Sequence, residues 1–276
     1  MNNHPSTLSP MDSPYPIAPE QIAAYRNDGH ILLKGIASPA EVAEFRPLVR
    51  RVVEDAAAKR DAQGKVEDYS KLFLQVTNVW RLDDALRHIV FSRRFARIAA
   101  ELMGVRGVRL YHDQALFKLA PGKPTPWHQD QFYWPLETPH TITLWMPLID
   151  LTEEMGTMIF ADGSHTEGPL LHESISERAG EAYERVVRER RYPVTGYVLN
   201  AGDATFHAGW TVHAAHGNTS TRVREVLTVI YYEDGAKIIE PDTEYRRTDM
   251  RVFFPGQAPG EIAASPLNPL LYAARG

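Results

Sequence analysis

Apolar residues recur at helical spacing in two stretches of the first hundred residues. In SPAEVAEFRPLVRRVVEDAAAKRD, residues 38–61, they fall at Val42, Phe45, Val49, Val52 and Ala56. Ser38 stands as N-cap, Pro39 at the first helical position and Glu41 as the partner that completes a capping box. A second signal starts at Ser92, sets Phe95, Ile98, Ala99 and Leu102 on one face, and stops at Gly104. Together these predict a helical N-terminal part, 18–104. After Gly104 the texture changes to short β-rich runs, VRLYHDQALFKL, TITLWMPLI, GTMIFA, GYVLN and REVLTVIYY, separated by Gly, Pro and Asp. ESISERAGEAYERVVRER, residues 173–190, predicts an inserted helix, and 241–276 is expected to be irregular structure over the core, inside a covering segment 236–276. Helices followed by a strand-rich remainder predict a mainly β fold with flanking helices, its jelly-roll core spanning about 105–235.

No repeat or low-complexity linker interrupts the chain after its Pro- and Ser-rich start, so 1–17 is expected as a flexible tail and 18–276 as a single domain. The opening residues lack the basic start and apolar middle of an export signal, which predicts a cytoplasmic protein. No run approaches the length of a membrane span. Cysteine is absent, which excludes disulfides, thiolate metal sites and cysteine nucleophiles and leaves nitrogen and oxygen as the only metal donors. With 30 basic against 35 acidic residues and no basic cluster, the chain offers nothing for a nucleic-acid backbone. A small molecule is the expected partner.

One stretch stands out chemically. PWHQDQFYWP, 126–135, sets His128 and Asp130 two residues apart among aromatics, so that in extended backbone both point to one face. A third ligand would complete the two-histidine, one-carboxylate facial triad of non-haem ferrous enzymes. Downstream, GDATFHAGWTVHAAHGNTSTRVREVLTVIYYE carries His213 after a Gly202-Asp203 turn and a short strand, in a position that a jelly roll can bring alongside.

These residues resemble the phytanoyl-CoA dioxygenase family of iron(II)- and 2-oxoglutarate-dependent oxygenases, over most of the chain from DGHILLKG onward. The resemblance implies a double-stranded β-helix core of the cupin type, with His128, Asp130 and His213 as the metal and catalytic residues. Gln129, the middle residue of the family's H-x-D, is a candidate co-substrate contact. Arg224, eleven residues past His213, matches the arginine that holds the far carboxylate of 2-oxoglutarate, with Arg222 on the same face as a rival. Thr143, Trp145 and Gln114 look like co-substrate neighbours. GTMIFADGSH is similar to a family segment in which Asp162 replaces the usual proline, and Ala215 stands where many members carry serine. Phe132, Tyr133, Trp134, His207 and Trp210 flank the ligands and are candidates for the substrate pocket, while His112, His165 and His216 are expected to be ordinary hydrogen-bonded or exposed histidines.

Physical chemistry supports this resemblance. On REVLTVIYY, Arg224 shares a face with Val226, Thr228 and Ile230, so its guanidinium would lie in an apolar interior and need an anion. The implied activity uses Fe(II), 2-oxoglutarate and O2 to hydroxylate, or otherwise oxidise, an unactivated C–H bond of a small molecule, with release of succinate and CO2. Asp130 argues against halogenation, because halogenases similar to this pattern lack that carboxylate. The alternative is a jelly-roll metalloprotein of another class, an isomerase or a non-catalytic ligand-binding module, which would have no use for Arg224.

Overall fold

Two antiparallel sheets take up the chain's β-rich runs, and their facing surfaces form the site. The computed structural model describes residues 11–62 and 73–274; residues 1–10 of the expected tail and 275–276 of the covering segment lie outside these. The larger, seven-stranded sheet is built from β1 (His30–Leu33), β2 (Phe73–Thr77), β3 (Gly107–Lys118), β5 (Thr141–Pro147), β8 (Ala204–Ala208), β10 (Arg224–Glu233) and β11 (Leu270–Ala273). Its order is β1-β8-β5-β10-β3-β11, with β2 also paired to β3. The four-stranded sheet runs β4 (Thr125–His128), β9 (His213–Ala215), β6 (Met158–Ala161), β7 (Val194–Gly196). This sheet-rich architecture with flanking helices is the jelly roll the sequence predicts.

Alternation along the strands of the larger sheet separates its two faces. Leu227, Val229 and Tyr231 of β10, with Ile142, Leu144 and Met146 of β5, point away from the smaller sheet into one apolar cluster. The helices Pro39–Ala62 and Arg93–Met103 complete it with Phe45, Val49, Phe95 and Ile98. Each such fully buried side chain contributes on the order of 1.5–3 kcal/mol. The opposite face presents Arg224, Thr228, Ile230, Thr143, Trp145 and His207 to a cavity between the sheets. The sheet thus anchors the fold with one face and lines the site with the other.

Helix ends follow the sequence closely. Ser38 N–H donates to Glu41 Oε2 at 2.7 Å and Glu41 N–H to Ser38 Oγ at 3.2 Å, the reciprocal capping box. Ser92 Oγ accepts from Phe95 N–H, and Gly104 ends that helix in the left-handed region. The inserted helix forms at Glu177–Glu189.

Four expectations need correction. The 18–104 part is not helical throughout, because HILL pairs along β8 as β1 and FLQVT along β3 as β2. GYVLN does not form a strand beyond its first residue; the preceding residues Val194–Gly196 pair with β6 instead. The C-terminal stretch contains a helix, Glu244–Phe253, capped by Thr243 Oγ1 accepting from Arg246 N–H, and the strand β11. Residues 11–17 are not a loose tail: Met11 is buried, its carbonyl accepts from Ser92 Oγ, and Ser13 accepts from the Arg94 guanidinium. No described helix is long and apolar enough to cross a membrane.

Candidate active site

Strands β4 and β9 pair with His128 directly opposite His213, which closes the 85-residue gap between them. Gln129 keeps extended backbone (φ −121°, ψ 126°), so Asp130, the first residue of a single 3-10 turn, returns to the side of His128. His128 Nε2 stands 3.4 Å and His213 Nε2 3.7 Å from Asp130 Oδ1. One donor atom from each of the three residues lies within 4.8 Å of the others.

The tautomers follow from the outer contacts. His128 Nδ1 donates to the Pro126 carbonyl at 2.8 Å and His213 Nδ1 to the Thr211 carbonyl at 2.9 Å. A carbonyl only accepts, so both Nε2 lone pairs face the centre. Burial, then His128 and His207, holds the His213 imidazole well below its usual range and therefore neutral. Burial alone would raise the Asp130 carboxyl, but His213, His128 and His207 hold it well below the ordinary carboxylate range. Its second oxygen accepts from Thr143 Oγ1 at 3.0 Å and lies 3.3 Å from His207 Nε2. Two imidazole nitrogens and one carboxylate oxygen converge, a donor set that suits a divalent first-row metal.

The second feature is a buried cation. Arg224 opens β10 with only 2% of its surface exposed, and its guanidinium carbon sits 5.4 Å from the centre of the Trp145 ring. One terminal nitrogen donates to the Gly156 carbonyl, Nε has no partner, and among the described residues no carboxylate lies within 4.0 Å. Burial pushes the group down to about 10, which leaves it charged at neutral pH. Gly156 adopts φ +79°, and a Cβ there would lie 2.2 Å from the His216 carbonyl, so only glycine brings its own carbonyl to the guanidinium. Arg222, the rival, is exposed.

Lys118 faces Arg224 across the β3–β10 pair and is itself only 2% exposed. Its ammonium donates to Thr125 Oγ1 at 3.3 Å and the His216 carbonyl at 3.1 Å, both neutral acceptors. Burial, then the neighbouring Arg224 charge, pushes it down to about 7. Between that pH and the ordinary lysine value of about 10.4 the unfolded chain binds the extra proton, so this residue's contribution to stability rises with pH. In ligand-free protein, Lys118→Met is expected to raise the melting temperature at pH 7, and this advantage should shrink by pH 9.5. Paired thermal melts at the two pH values check it; an unchanged gap refutes it.

The triad and Arg224 line one cavity of about 540 Å³. Thr143, Trp145, Gln114, Tyr133, Trp134, His207 and Ala215 line it as well. Three candidates do not. Gln129 points the other way, held by the carbonyls of Gly168 and Trp210 and by Leu170 N–H, because a residue midway between two same-face positions faces the opposite side. Phe132 lies in a shallower outer recess with Tyr245, and Trp210 offers its carbonyl to Gln129 from outside the cavity. His112, expected to be ordinary, lines the cavity with Nδ1 unpartnered and its ring stacked on Phe253 at 4.4 Å. Asp162 has a structural task, accepting from Thr195 Oγ1 and lying 2.9 Å from His30 Nε2.

A family model described as "Phytanoyl-CoA dioxygenase (PhyH)" matches residues 25–226. Among curated relatives, the "Probable alpha-ketoglutarate-dependent hypophosphite dioxygenase" of Stutzerimonas stutzeri is 27% identical over 224 residues, 77% of each chain. The "Ectoine dioxygenase" of Nocardia farcinica is 24% identical over 241 residues, 80% of each. Among solved structures, the non-heme alpha ketoglutarate dependent carbocyclase SnoK from nogalamycin biosynthesis superposes with a TM-score of 0.76 at 25% identity, covering 94% of this chain and 99% of its own. The epimerase SnoN in complex with Fe3+, alpha ketoglutarate and nogalamycin RO gives a TM-score of 0.70 at 26% identity, covering 91% and 97%.

Proposed function

Because the chain belongs to the phytanoyl-CoA dioxygenase family, we propose that it is an iron(II)- and 2-oxoglutarate-dependent oxygenase that hydroxylates, or otherwise oxidises, an unactivated C–H bond of a small organic molecule, in secondary metabolism. In its hydroxylating form the balance is substrate C–H, O2 and 2-oxoglutarate to substrate C–OH, succinate and CO2. The observation that carries this reading is Arg224, a buried guanidinium with no anion of its own beside a ready-made triad. His128 Nε2, His213 Nε2 and Asp130 would hold the ferrous ion. Bound together, iron and 2-oxoglutarate supply the oxidant from dioxygen.

This chain's residues would bind, orient and exclude water. Thr143 and His207 fix one oxygen of Asp130, so the other stays turned to the histidines. Arg224 offers a planar fork to the far carboxylate of 2-oxoglutarate in a slot floored by Trp145, and the buried Lys118 adds positive charge beside it. Thr143 pairs with Ile230, and Arg224 stands six residues earlier on the same strand, so the Asp130 partner and the guanidinium are set at separate points along β10. Trp134 and Tyr133 close the metal side with apolar surface, which favours productive oxidation over side reactions with water. The carbocyclase and epimerase among the neighbours support including ring closure and epimerisation in the range of outcomes. An isomerase or a binding module that took no 2-oxoglutarate would leave the Arg224 charge uncompensated.

Adding iron(II) and 2-oxoglutarate without oxygen is expected to produce a weak visible charge-transfer band, and admitting oxygen should release succinate. Absence of both in metal-replete protein would remove the proposal.

A further inference from the structure

The wall of the cavity facing away from Arg224 is made by the helix Glu244–Phe253, which contributes Tyr245, Asp249 and Phe253. Among the described residues, Asp249 is the one carboxylate lining the cavity outside the triad. Its Oδ2 accepts from Tyr111 Oη at 2.7 Å, and among the described residues no lysine, arginine or histidine nitrogen approaches it within 4.0 Å. The cations of its own helix are engaged elsewhere: Arg246 with Asp242 and the Phe132 carbonyl, Arg247 with Glu244, Arg251 with Thr248. Around it stand Tyr133, Trp134, Tyr245 and Phe253, a wall of ring faces and edges.

We propose that Asp249 anchors a cationic nitrogen of the substrate, so that the compound oxidised here carries a protonated amine or quaternary ammonium group on a largely apolar frame. This rests on the oxygenase reading above. A half-buried carboxylate without a counter-charge is costly, and one phenol hydrogen bond does not neutralise it; burial pushes the Asp249 carboxyl up to about 7. A cation supplied by the ligand removes that cost and gains further from the aromatic faces. No other lining group competes for the role. Arg224 repels cations from the co-substrate end, and His112, pushed down to about 3 by burial, is neutral. Tyr133 connects the two regions: burial raises its phenol to about 12, with Asp130, Tyr245 and Asp249 adding to the shift. A ligand held by its nitrogen at Asp249 would therefore present its carbon frame along Tyr133 toward the triad.

The test uses choline and its uncharged isostere 3,3-dimethylbutan-1-ol, matched in shape and hydroxyl, titrated at pH 8 into protein loaded anaerobically with iron(II) and 2-oxoglutarate. Tryptophan fluorescence reports binding, since Trp134 lines the cavity. Choline is expected to bind about ten-fold more tightly than the alcohol. Asp249→Asn, which retains an acceptor for Tyr111, should abolish the preference. Glu244→Gln removes the same charge from an exposed site on the same helix and should keep it; circular-dichroism melts confirm that both variants fold. Equal affinities in the wild type, or a preference that survives in Asp249→Asn, would overturn the assignment. The charge-transfer band recorded in the same samples separates the two ideas: a band without cation preference removes only the amine, and a cation preference without a band removes the oxidation.

Discussion

His213→Ala is expected to bind iron(II) too weakly to hold it during turnover and to release succinate at less than about one-thousandth of the wild-type rate. A catalytic metal supplies several kcal/mol of transition-state stabilisation, and each 1.4 kcal/mol is a decade. The structure gives this residue no substitute. It is the partner of His128 across β4–β9, and His207 is turned to the other oxygen of Asp130. Anaerobic calorimetric titration with iron(II) and single-turnover succinate release check the two parts. Iron binding and turnover near the wild-type level would mean that His213 is not a ligand.

Arg224→Met is expected to separate metal binding from co-substrate binding. The triad is untouched, so iron affinity should stay within a few-fold of wild type. The apparent KM for 2-oxoglutarate should rise by about 10²–10³, the loss that follows removal of one partner from a buried charged pair, about 3–5 kcal/mol. The ligand-free variant should at the same time melt no lower than wild type, because the substitution removes a desolvated cation whose Nε has no partner. Stability unchanged and co-substrate affinity lost is a combination that a purely structural arginine would not give. Arg222→Met, at an exposed position, should leave both unchanged.

Much of this site is legible in the sequence. His128 and Asp130 are legible as a pair because strand side chains repeat every two residues; the roles of His213 and Arg224 are what the family resemblance implies, and the apolar face around Arg224 supports it. The helices Pro39–Ala62 and Arg93–Met103 were readable from their caps. Part of what escaped depended on long-range pairing. HILL is four residues long and becomes a strand only because β8 offers it a partner 177 positions away at His30↔His207. His112 looks like one more histidine on a long strand, yet it stands two residues before Gln114, so the two-residue period itself puts it on the cavity face. The helix Glu244–Phe253 is rich in charge and buries little beyond Phe253, so its sequence carried no strong apolar period. Gln129 likewise was a misreading that the two-residue period itself could have prevented.

The wall bearing Asp249 lies at residues 244–253, whereas the match to the family model ends at residue 226. The candidate triad, Arg224 and the whole of the smaller sheet fall before that limit; the helix that carries Asp249 falls after it. On the proposal made above for Asp249, part of the selectivity is therefore written on a different length of polypeptide from the candidate triad. On that proposal, exchanging side chains on the helix Glu244–Phe253 would change the molecule accepted and leave the candidate triad and Arg224 as they are.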